Sequence, residues 1–546
     1  MIGPIPPHDV TVPGPTLAPA SAETPSPVTS VQPGHGAVPT AAISSAVKSA
    51  TATATTANRR YVFELNVTYP TDQLANPWED VTVSAAFTAP SGATTRVSGF
   101  YFDRGTYKVR FAPTEPGVYR YVATISGPTA IAPVSGSFEA PESVKQGFVR
   151  VSTSNPTRLV FDDGTFFDAL GLNDCWGADP ARPNRIDPKN YIASGDAVDV
   201  DTYFATYAAA GFNLLRLDSS NCWLPVGARL SKDGNTYSIV NGMLVDQLLQ
   251  SATEHGFRVM FRTFNDPPYP DAADHPDEQK VLDSYFDYLI ARYGAYVDIW
   301  ELTNETDPSN LPDSWLRYAA GYLHAHDPYH HLVTNSNPRD GDWTYLDLRS
   351  PHSYLQSTVA NADLDGAGEV SRFARGDRPV VFGEAGNWDC NWDPTSATRL
   401  RLRLWSTFFA GGALVFWNSS AYKTYCHTGS ANQYLGPEER GYTRVFADVT
   451  RDLDPRAQAV KIEPSSSGVR GYGLRSPTMF LAYFHHFSSD TPTISTSFAA
   501  DVPVQGTASW IDPATGQTIA TRPVEPGRQT LTTPPFAVDL ALRIQR

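Results

Sequence analysis

Eight short apolar runs, each followed by a stretch with helical periodicity, recur between residues 144 and 455 of this 546-residue chain. Strands that alternate with helices pair in parallel, and eight such units suit closure into a (β/α)8 barrel. The sequence therefore predicts a barrel domain over 144–455. Its strands are expected at about 166–172, 212–218, 257–264, 297–305, 331–336, 348–354, 379–384 and 413–417.

The fourth and the seventh of these runs each end in a glutamate, at Glu305 and at Glu384. Strand alternation would put Glu301 and Glu305 on one face, and Phe382 on the same face as Glu384. The active sites of parallel barrels lie at the carboxyl ends of the strands. Glycoside hydrolysis needs paired carboxylates, one as a proton donor and one as a nucleophile, so the two glutamates are candidates for that chemistry.

At these residues the chain resembles a known family. Thr303-Asn304-Glu305 and Phe382-Gly383-Glu384 are similar to the strand-four and strand-seven motifs of the large clan of retaining (β/α)8 glycoside hydrolases, which includes cellulases, mannanases and β-glycosidases. The resemblance implies cleavage of O-glycosidic bonds in a poly- or oligosaccharide, with Glu305 as acid/base and Glu384 as nucleophile. Burial is expected to raise the pKa of Glu305. No metal or organic cofactor is implied.

The resemblance also suggests residues that orient the nucleophile or the substrate. Arg216 lies on the inner face of the second strand, where it would hold Glu384 ionised or form a structural ion pair with Glu301. His352 and Tyr354 resemble the His-x-Tyr of the family, whose tyrosine donates to the nucleophile. The alternative for His352 is a core histidine.

Further substrate contacts are predicted at strand ends and in rim loops. Asn304 would bond the 2-hydroxyl of the sugar. Asn265 ends the third strand and could reach substrate hydroxyls or cap the next helix. Trp417 ends the eighth strand and resembles the family's strand-eight tryptophan, which implies that it forms the floor of the subsite for the cleaved sugar; the alternative is a core residue. Trp176 is expected to be an exposed sugar platform in a rim loop, as are three other tryptophans, Trp223, Trp388 and Trp392.

Four cysteines follow the first, second, seventh and eighth strands, at Cys175, Cys222, Cys390 and Cys426. Because the loops are neighbours in pairs, two disulfides are predicted, Cys175–Cys222 and Cys390–Cys426. Disulfides indicate a secreted or otherwise extracytoplasmic protein. A zinc site and four reduced thiols remain alternatives.

The net charge of −15 and the pI near 5.2 argue against a nucleic-acid or anionic-membrane partner, whereas a neutral carbohydrate is compatible. No run approaches the ~18 apolar residues of a membrane span, and the first thirty residues lack the apolar core of a secretory signal. The oligomeric state is left undetermined.

Alternating short runs predict an immunoglobulin-like β-sandwich over 59–143 and a second β-sandwich over 456–546. The first resembles the uncharacterised sandwich domain often found before such hydrolase barrels. Each domain could bind carbohydrate or serve as a packing partner. Residues 1–58, rich in Pro, Ala, Thr and Ser, are predicted to be a disordered leader or linker.

Two other functional classes are compatible with the sequence. One is a non-catalytic carbohydrate-binding or adhesion protein built on a hydrolase scaffold, although both glutamates are present. The other is a transglycosylase, in which an acceptor sugar replaces water in the same chemistry.

Overall fold

The structure is a computed structural model that describes most of the chain after residue 42. The described residues are 43–45, 60–174, 176–179, 181–186, 189–193, 196–218, 224–306, 311–336, 344–386, 393–417 and 435–545. They all fall within one compact unit, Ala41–Arg546. Among them, no helix combines the length and the apolar character needed to cross a membrane.

Residues 43–140 contribute two antiparallel four-stranded sheets around one hydrophobic core. The first sheet has the order β1-β2-β6-β5 and the second β4-β3-β7-β8. The strands are β1 (Ile43–Ser45), β2 (Phe63–Thr68), β3 (Thr82–Thr88), β4 (Thr94–Ser98), β5 (Phe100–Asp103), β6 (Thr106–Phe111), β7 (Gly117–Ser126) and β8 (Val134–Ala140).

Two details of this region differ from the predictions. Strand β1 lies inside the segment predicted to be disordered, and it pairs with β2 from Ile43 opposite Val67. The alternating run 96–102 is typical of one strand, but it divides at Gly99 into β4 and β5, which belong to different sheets. A Cβ at Gly99 would approach the carbonyl oxygen of Lys108 to 2.8 Å, so this crossing point requires glycine.

A hairpin precedes the barrel and consists of β9 (Val149–Val151) and β10 (Leu159–Phe161), paired antiparallel. The chain then enters the barrel region. Its strands are β11 (Leu170–Asp174), β12 (Ala178–Asp179), β13 (Arg182–Ile186), β14 (Lys189–Ala193), β15 (Asp196–Val198), β16 (Leu214–Asp218), β17 (Gly227–Arg229), β18 (Thr236–Tyr237), β19 (Arg258–Arg262), β20 (Ile299–Glu301), β21 (Leu332–Thr334), β22 (His352–Ser353), β23 (Val380–Ala385) and β24 (Gly412–Phe416).

Eight of these strands form one parallel sheet, in the order β21-β20-β19-β16-β11-β24-β23-β22. We refer to β11, β16, β19, β20, β21, β22, β23 and β24 as barrel strands 1 to 8. This is the strand order of a (β/α)8 barrel, and each of the eight predicted runs overlaps one of the strands. A parallel bridge between Ser336 and Ser350 joins the two edges of the sheet, next to barrel strands 5 and 6.

The sheet curls around a core of buried side chains at its amino-terminal end. Strands 2, 4 and 7 each contribute one residue to this core, Leu214, Ile299 and Val381, and the hairpin contributes Leu159 and Phe161. The hairpin therefore closes this end of the curled sheet with apolar side chains. The polar residues of strands 2 and 7, Arg216 and Glu384, lie further along these strands, towards the opposite end.

Seven α-helices are described, and most follow a barrel strand. They are α1 (Val200–Ala209), α2 (Ile239–Glu254), α3 (Pro276–Tyr293), α4 (Asp313–His326), α5 (Ala362–Phe373), α6 (Ser396–Phe409) and α7 (Pro437–Thr450). Their starts carry recognisable signals. Asp199 caps α1 by accepting from the N–H of Thr202, and Pro276 opens α3 where no N–H donor is needed.

The carboxyl-terminal strands build a six-stranded antiparallel sheet, β25-β26-β27-β32-β29-β30, and a two-stranded sheet, β28-β31, around a core of their own. The strands are β25 (Gln458–Lys461), β26 (Val469–Arg475), β27 (Phe480–His486), β28 (Ser497–Val502), β29 (Gly506–Ile511), β30 (Thr518–Val524), β31 (Gly527–Thr532) and β32 (Asp539–Gln545). Arg401 of α6 binds Asp539 of β32 through two hydrogen bonds of 2.9 and 2.8 Å, which ties this sheet to the barrel helices.

A buried ion network ties the amino-terminal sheets to the barrel. Asp246 of α2 accepts hydrogen bonds from Arg110 of β6 at 2.7 Å and from Arg292 of α3 at 2.8 Å. Burial alone would raise the pKa of Asp246, but the two guanidinium charges outweigh burial and hold this pKa well below its ordinary value. The carboxylate therefore stays ionised between two arginines.

Replacing Asp246 with alanine should lower the free energy of unfolding by about 3–5 kcal/mol, because the buried guanidinium of Arg292 loses its carboxylate partner and that of Arg110 keeps only Glu64. Denaturant unfolding measures the change. Glu142→Ala is the matched control, since Glu142 pairs with Lys145 at 78% and 61% side-chain exposure, and its removal should change the free energy by less than about 1 kcal/mol. Equal effects of the two substitutions would contradict the assignment.

Candidate active site

Arg216 of barrel strand 2 links three strand ends inside the barrel. Its Nε and Nη2 donate to the two carboxylate oxygens of Glu301 at 2.6 and 2.8 Å. Its Nη1 donates to Glu384 at 2.7 Å, and Nη2 also donates to Oδ1 of Asn304 at 2.8 Å. Arg216 is fully buried. The two alternatives for this arginine, contact with Glu384 and an ion pair with Glu301, are therefore both present at once.

Glu384 of barrel strand 7 is buried, and both of its carboxylate oxygens are hydrogen-bonded. Oε1 accepts from Arg216, and Oε2 accepts a short hydrogen bond from the hydroxyl of Tyr354. Burial would raise its pKa, but the charges of His352 and Arg216 and the bonds from Tyr354 and Arg216 lower the pKa of Glu384 to about 2. The group is therefore a carboxylate at any physiological pH.

A β-bulge aims Glu384 into the barrel. Val381 lies in the core inside the sheet, whereas Phe382 packs in the core outside it, so simple alternation would send Glu384 outward with Phe382. The register of strand 7 against strand 8 shifts between Phe382 and Ala385, and Glu384 points inward. The prediction that Phe382 and Glu384 share a face is wrong, because the bulge rotates the side chains that follow it.

The carboxylate of Glu305 lies close to that of Glu384, but Glu305 itself lies in a turn. Barrel strand 4 ends at Glu301, and Glu305 has a φ of 44°, in the left-handed region. Its Oε1 lies 2.6 Å from Nδ1 of His352, and its side chain is 48% exposed. Two expectations are thereby corrected: alternation does not place Glu305 beside Glu301, because the strand has ended, and Glu305 is not buried.

His352 of strand 6 bridges the two carboxylates. Its Nδ1 is 3.5 Å from Oε2 of Glu384 as well as 2.6 Å from Glu305. One oxygen or nitrogen from each of these three residues lies within 4.8 Å of the others. Such a trio has the donor types of a metal site, although both oxygens of Glu384 already accept hydrogen bonds from Arg216 and Tyr354. The same trio supplies two closely spaced carboxylates, one buried and one exposed.

Two of the three residues that position this site were not expected from the sequence, and the third was given only as an alternative. Glu301 holds the other side of the Arg216 guanidinium, and Asn335 and Ser336 at the end of strand 5 bind the turn that carries Glu305. Glu301 had been considered only as an alternative partner of Arg216. The signal for Asn335 and Ser336 was their place directly after a buried run, where polar side chains face the active-site end.

The remaining substrate candidates have different outcomes. Trp417 is half-buried at the end of strand 8, where its backbone N–H donates to the backbone carbonyl of Ala385 at 2.8 Å. Asn265 is half-buried at the end of strand 3, and its amide donates to Asp266 at 2.7 Å. The α-helix that follows begins only at Pro276, so Asn265 does not cap it.

Trp176 is not an exposed platform. It is 0% exposed, and its ring packs against Tyr203 and Phe204 of α1. The prediction is wrong because α1 turns its aromatic side towards the loop. The four cysteines and the other rim tryptophans lie outside the described residues; these are Cys175, Cys222, Cys390, Cys426, Trp223, Trp388 and Trp392.

Comparison with known proteins supports the fold. Residues 59–126 match the family described as a domain of unknown function, DUF5060. The chain is similar in structure to a putative glycoside hydrolase from Bacteroides vulgatus, with a TM-score of 0.60, 14% identity, and coverage of 89% of this chain and 98% of that chain. No curated protein sequence matches it.

Two further similar structures have lower scores. A glycoside hydrolase family 5 protein from Bacteroides vulgatus has a TM-score of 0.48 and 15% identity, with coverage of 73% of this chain and 94% of that chain. A GH30 endoxylanase from Clostridium papyrosolvens has a TM-score of 0.42 and 14% identity, with coverage of 73% and 100%. The predicted resemblance to barrel glycoside hydrolases is confirmed at the level of the fold, and the uncharacterised domain predicted before the barrel is confirmed as DUF5060.

The lowered pKa of Glu384 predicts a specific loss of stability in acid. Its folded pKa of about 2 lies below the ordinary 4.5, so its contribution is complete above pH 4.5 and disappears as the pH falls towards 2. The shift corresponds to on the order of 2–3 kcal/mol over that window. Wild type should therefore lose more stability between pH 5 and pH 3 than Glu384→Gln in thermal melts.

The exposed Glu139 of β8 offers a matched control, since Glu139→Gln should leave the acid dependence of wild type unchanged. Identical acid profiles for wild type and Glu384→Gln would show that the carboxylate gains nothing from Arg216 and Tyr354.

Proposed function

We propose that this chain is a retaining glycoside hydrolase that cleaves O-glycosidic bonds of a poly- or oligosaccharide. The observation that carries the proposal is the pair of carboxylates at the barrel mouth, with an oxygen of Glu305 and an oxygen of Glu384 within 4.8 Å of each other. Retaining enzymes hold their two carboxyl groups about 5–5.5 Å apart, whereas inverting enzymes leave roughly 6.5–9.5 Å for a water molecule.

The environments of the two groups suit different roles. Glu384 is ionised and held by Arg216 and Tyr354, so it can attack the anomeric carbon and form the glycosyl-enzyme intermediate. Glu305 is half-exposed and would protonate the departing glycosidic oxygen. It would then take a proton from the water that attacks the intermediate, which restores both carboxyl groups.

Two further residues are proposed to contact the sugar. Arg216 occupies Oδ1 of Asn304, which leaves the Nδ2 amide as the donor for a hydroxyl next to the anomeric carbon. Trp417, half-buried at the end of strand 8, would offer a ring face to the sugar. Each step uses side chains of this chain and water, without a metal ion or an organic cofactor.

We propose that the amino-terminal and carboxyl-terminal sheets are β-sandwich domains that stabilise the barrel. The Asp246 network and the Arg401–Asp539 pair support this role, because both place buried charges between the sheets and the barrel helices. Carbohydrate binding by either sandwich is the alternative.

Alanine at Glu384 or Glu305 should reduce turnover of an aryl glycoside by at least about 10³-fold, because each substitution removes a covalent or proton-transfer role. Azide should restore activity to Glu384→Ala with a glycosyl azide of inverted configuration, and to Glu305→Ala with one of retained configuration. Turnover and NMR of the products measure both effects, and Glu139→Ala is the control, expected to match wild type.

The same experiment separates the alternatives. Near-normal turnover in either variant would remove the assigned roles. A wild-type chain that binds oligosaccharides and cleaves none, across plant, fungal and bacterial polysaccharides and aryl glycosides that include arabinofuranosides, would indicate a binding protein. Products that grow when an acceptor sugar is added would indicate transglycosylation.

Secretion and two disulfides, Cys175–Cys222 and Cys390–Cys426, remain proposals based on the placement of the four cysteines after barrel strands. Non-reducing peptide mapping of protein from the native host should recover both linked pairs. Four thiols that react with an alkylating agent before reduction would contradict both the disulfides and the oxidising compartment.

A further inference from the structure

The turn that carries Glu305 is bound by two consecutive residues at the end of barrel strand 5. Oγ of Ser336 accepts from the N–H of Glu305 at 2.9 Å and donates to the carbonyl of Thr303 at 3.0 Å. Oδ1 of Asn335 accepts from the N–H of Thr303 at 2.8 Å and from its hydroxyl at 2.7 Å. Backbone groups on both sides of Asn304 are therefore held by a neighbouring strand.

These two residues are themselves fixed. Both are buried, and Nδ2 of Asn335 donates to the carbonyl of Ser336 at 3.1 Å. Ser336 also forms the parallel bridge with Ser350 that joins the edges of the barrel sheet. The pair is thus part of the barrel wall, and any displacement of the turn must break several hydrogen bonds at once.

The side chain of Glu305 has little else to hold it. It is 48% exposed, and among the residues that the structure describes its carboxylate bonds to His352. Its φ of 44° is unfavourable for a residue with a Cβ and persists only where the surroundings determine it. The bond from the Glu305 N–H to Ser336 lies next to this torsion, so it can set the direction in which the carboxylate leaves the backbone.

We infer that Asn335 and Ser336 are positioning residues for the acid/base of the proposed glycosidase, acting on Glu305 through its backbone. The inference rests on the proposed function. It assigns to strand 5 a share in proton transfer to the leaving group, although neither residue donates that proton. Removing the hydroxyl of Ser336 lets the turn relax and moves the Glu305 carboxylate away from the glycosidic oxygen.

Leaving-group dependence is the readout that separates this role from a structural one. An activated 2,4-dinitrophenyl glycoside departs without protonation, whereas an alkyl or phenyl glycoside needs the acid. Ser336→Ala should lower kcat/KM about 10- to 100-fold on a phenyl glycoside, as expected for a displaced catalytic group, and less than about 3-fold on the 2,4-dinitrophenyl glycoside of the same sugar. The sugar is the one whose aryl glycoside wild type cleaves fastest.

Ser353→Ala is the matched control. Ser353 is a buried serine at the end of strand 6, and its Oγ has no hydrogen-bond partner among the described residues. This variant should match wild type on both substrates. Asn335→Ala provides a second test, with the same selective loss expected from the freed Thr303. Equal losses on both substrates, or no loss on the phenyl glycoside, would overturn the inference.

A crystal structure of Ser336→Ala tests the geometry without any substrate. Glu305 should leave the left-handed region, and its 2.6 Å contact with His352 should be lost. Unchanged Glu305 coordinates would refute the positioning role whatever the kinetics. If wild type cleaves no glycoside, the proposed function fails, and this structure still decides whether Ser336 sets the conformation of Glu305.

Discussion

One buried guanidinium organises the mouth of this barrel. Arg216 is surrounded by Glu301, Glu384 and Asn304, so strands 2, 4 and 7 must end at matching heights for its four hydrogen bonds to these residues to form. A buried charge without partners costs several kcal/mol, and two carboxylates without the arginine would repel each other. The ion network and the strand register therefore depend on one another. Together they determine the orientation of Glu384 and its lowered pKa.

Much of the barrel could be predicted because parallel strands are buried on both faces. Such strands appear as apolar runs, and a polar residue inside one must face a paired interior. Arg216 met that condition: Leu214, two residues earlier, lies in the core inside the sheet, so alternation correctly sent Arg216 inward. The direction of the Arg216 side chain could be predicted from the two-residue period of a strand and from burial alone.

Alternation failed where the backbone departs from a regular strand. The bulge after Phe382 turns Glu384 inward, and the glycine at position 383 was its one local signal, because glycine inside a strand often marks a bulge. A positive φ at a glutamate has no such signal in the local sequence. The conformation of Glu305 depends on residues of strand 5, which is distant in sequence, and it could therefore not be predicted. The exposure of Trp176 was predicted wrongly because α1 buries it through a tertiary contact. The position of a residue in a loop does not indicate such a contact.

Glu384 is held through its carboxylate oxygens, whereas Glu305 is held through its backbone. The proposed reaction explains this difference. The nucleophile must stay ionised and aimed at one carbon, so strong side-chain donors on both oxygens of Glu384 suit it. An acid/base must release and regain a proton in each cycle, and a carboxyl locked by an arginine would resist protonation. Holding Glu305 through its backbone N–H leaves the carboxylate half-exposed and, among the described residues, without an arginine partner, yet in a defined place. Strand 5 then fixes the position of the Glu305 carboxylate. The open side of the cleft allows this carboxylate to exchange protons.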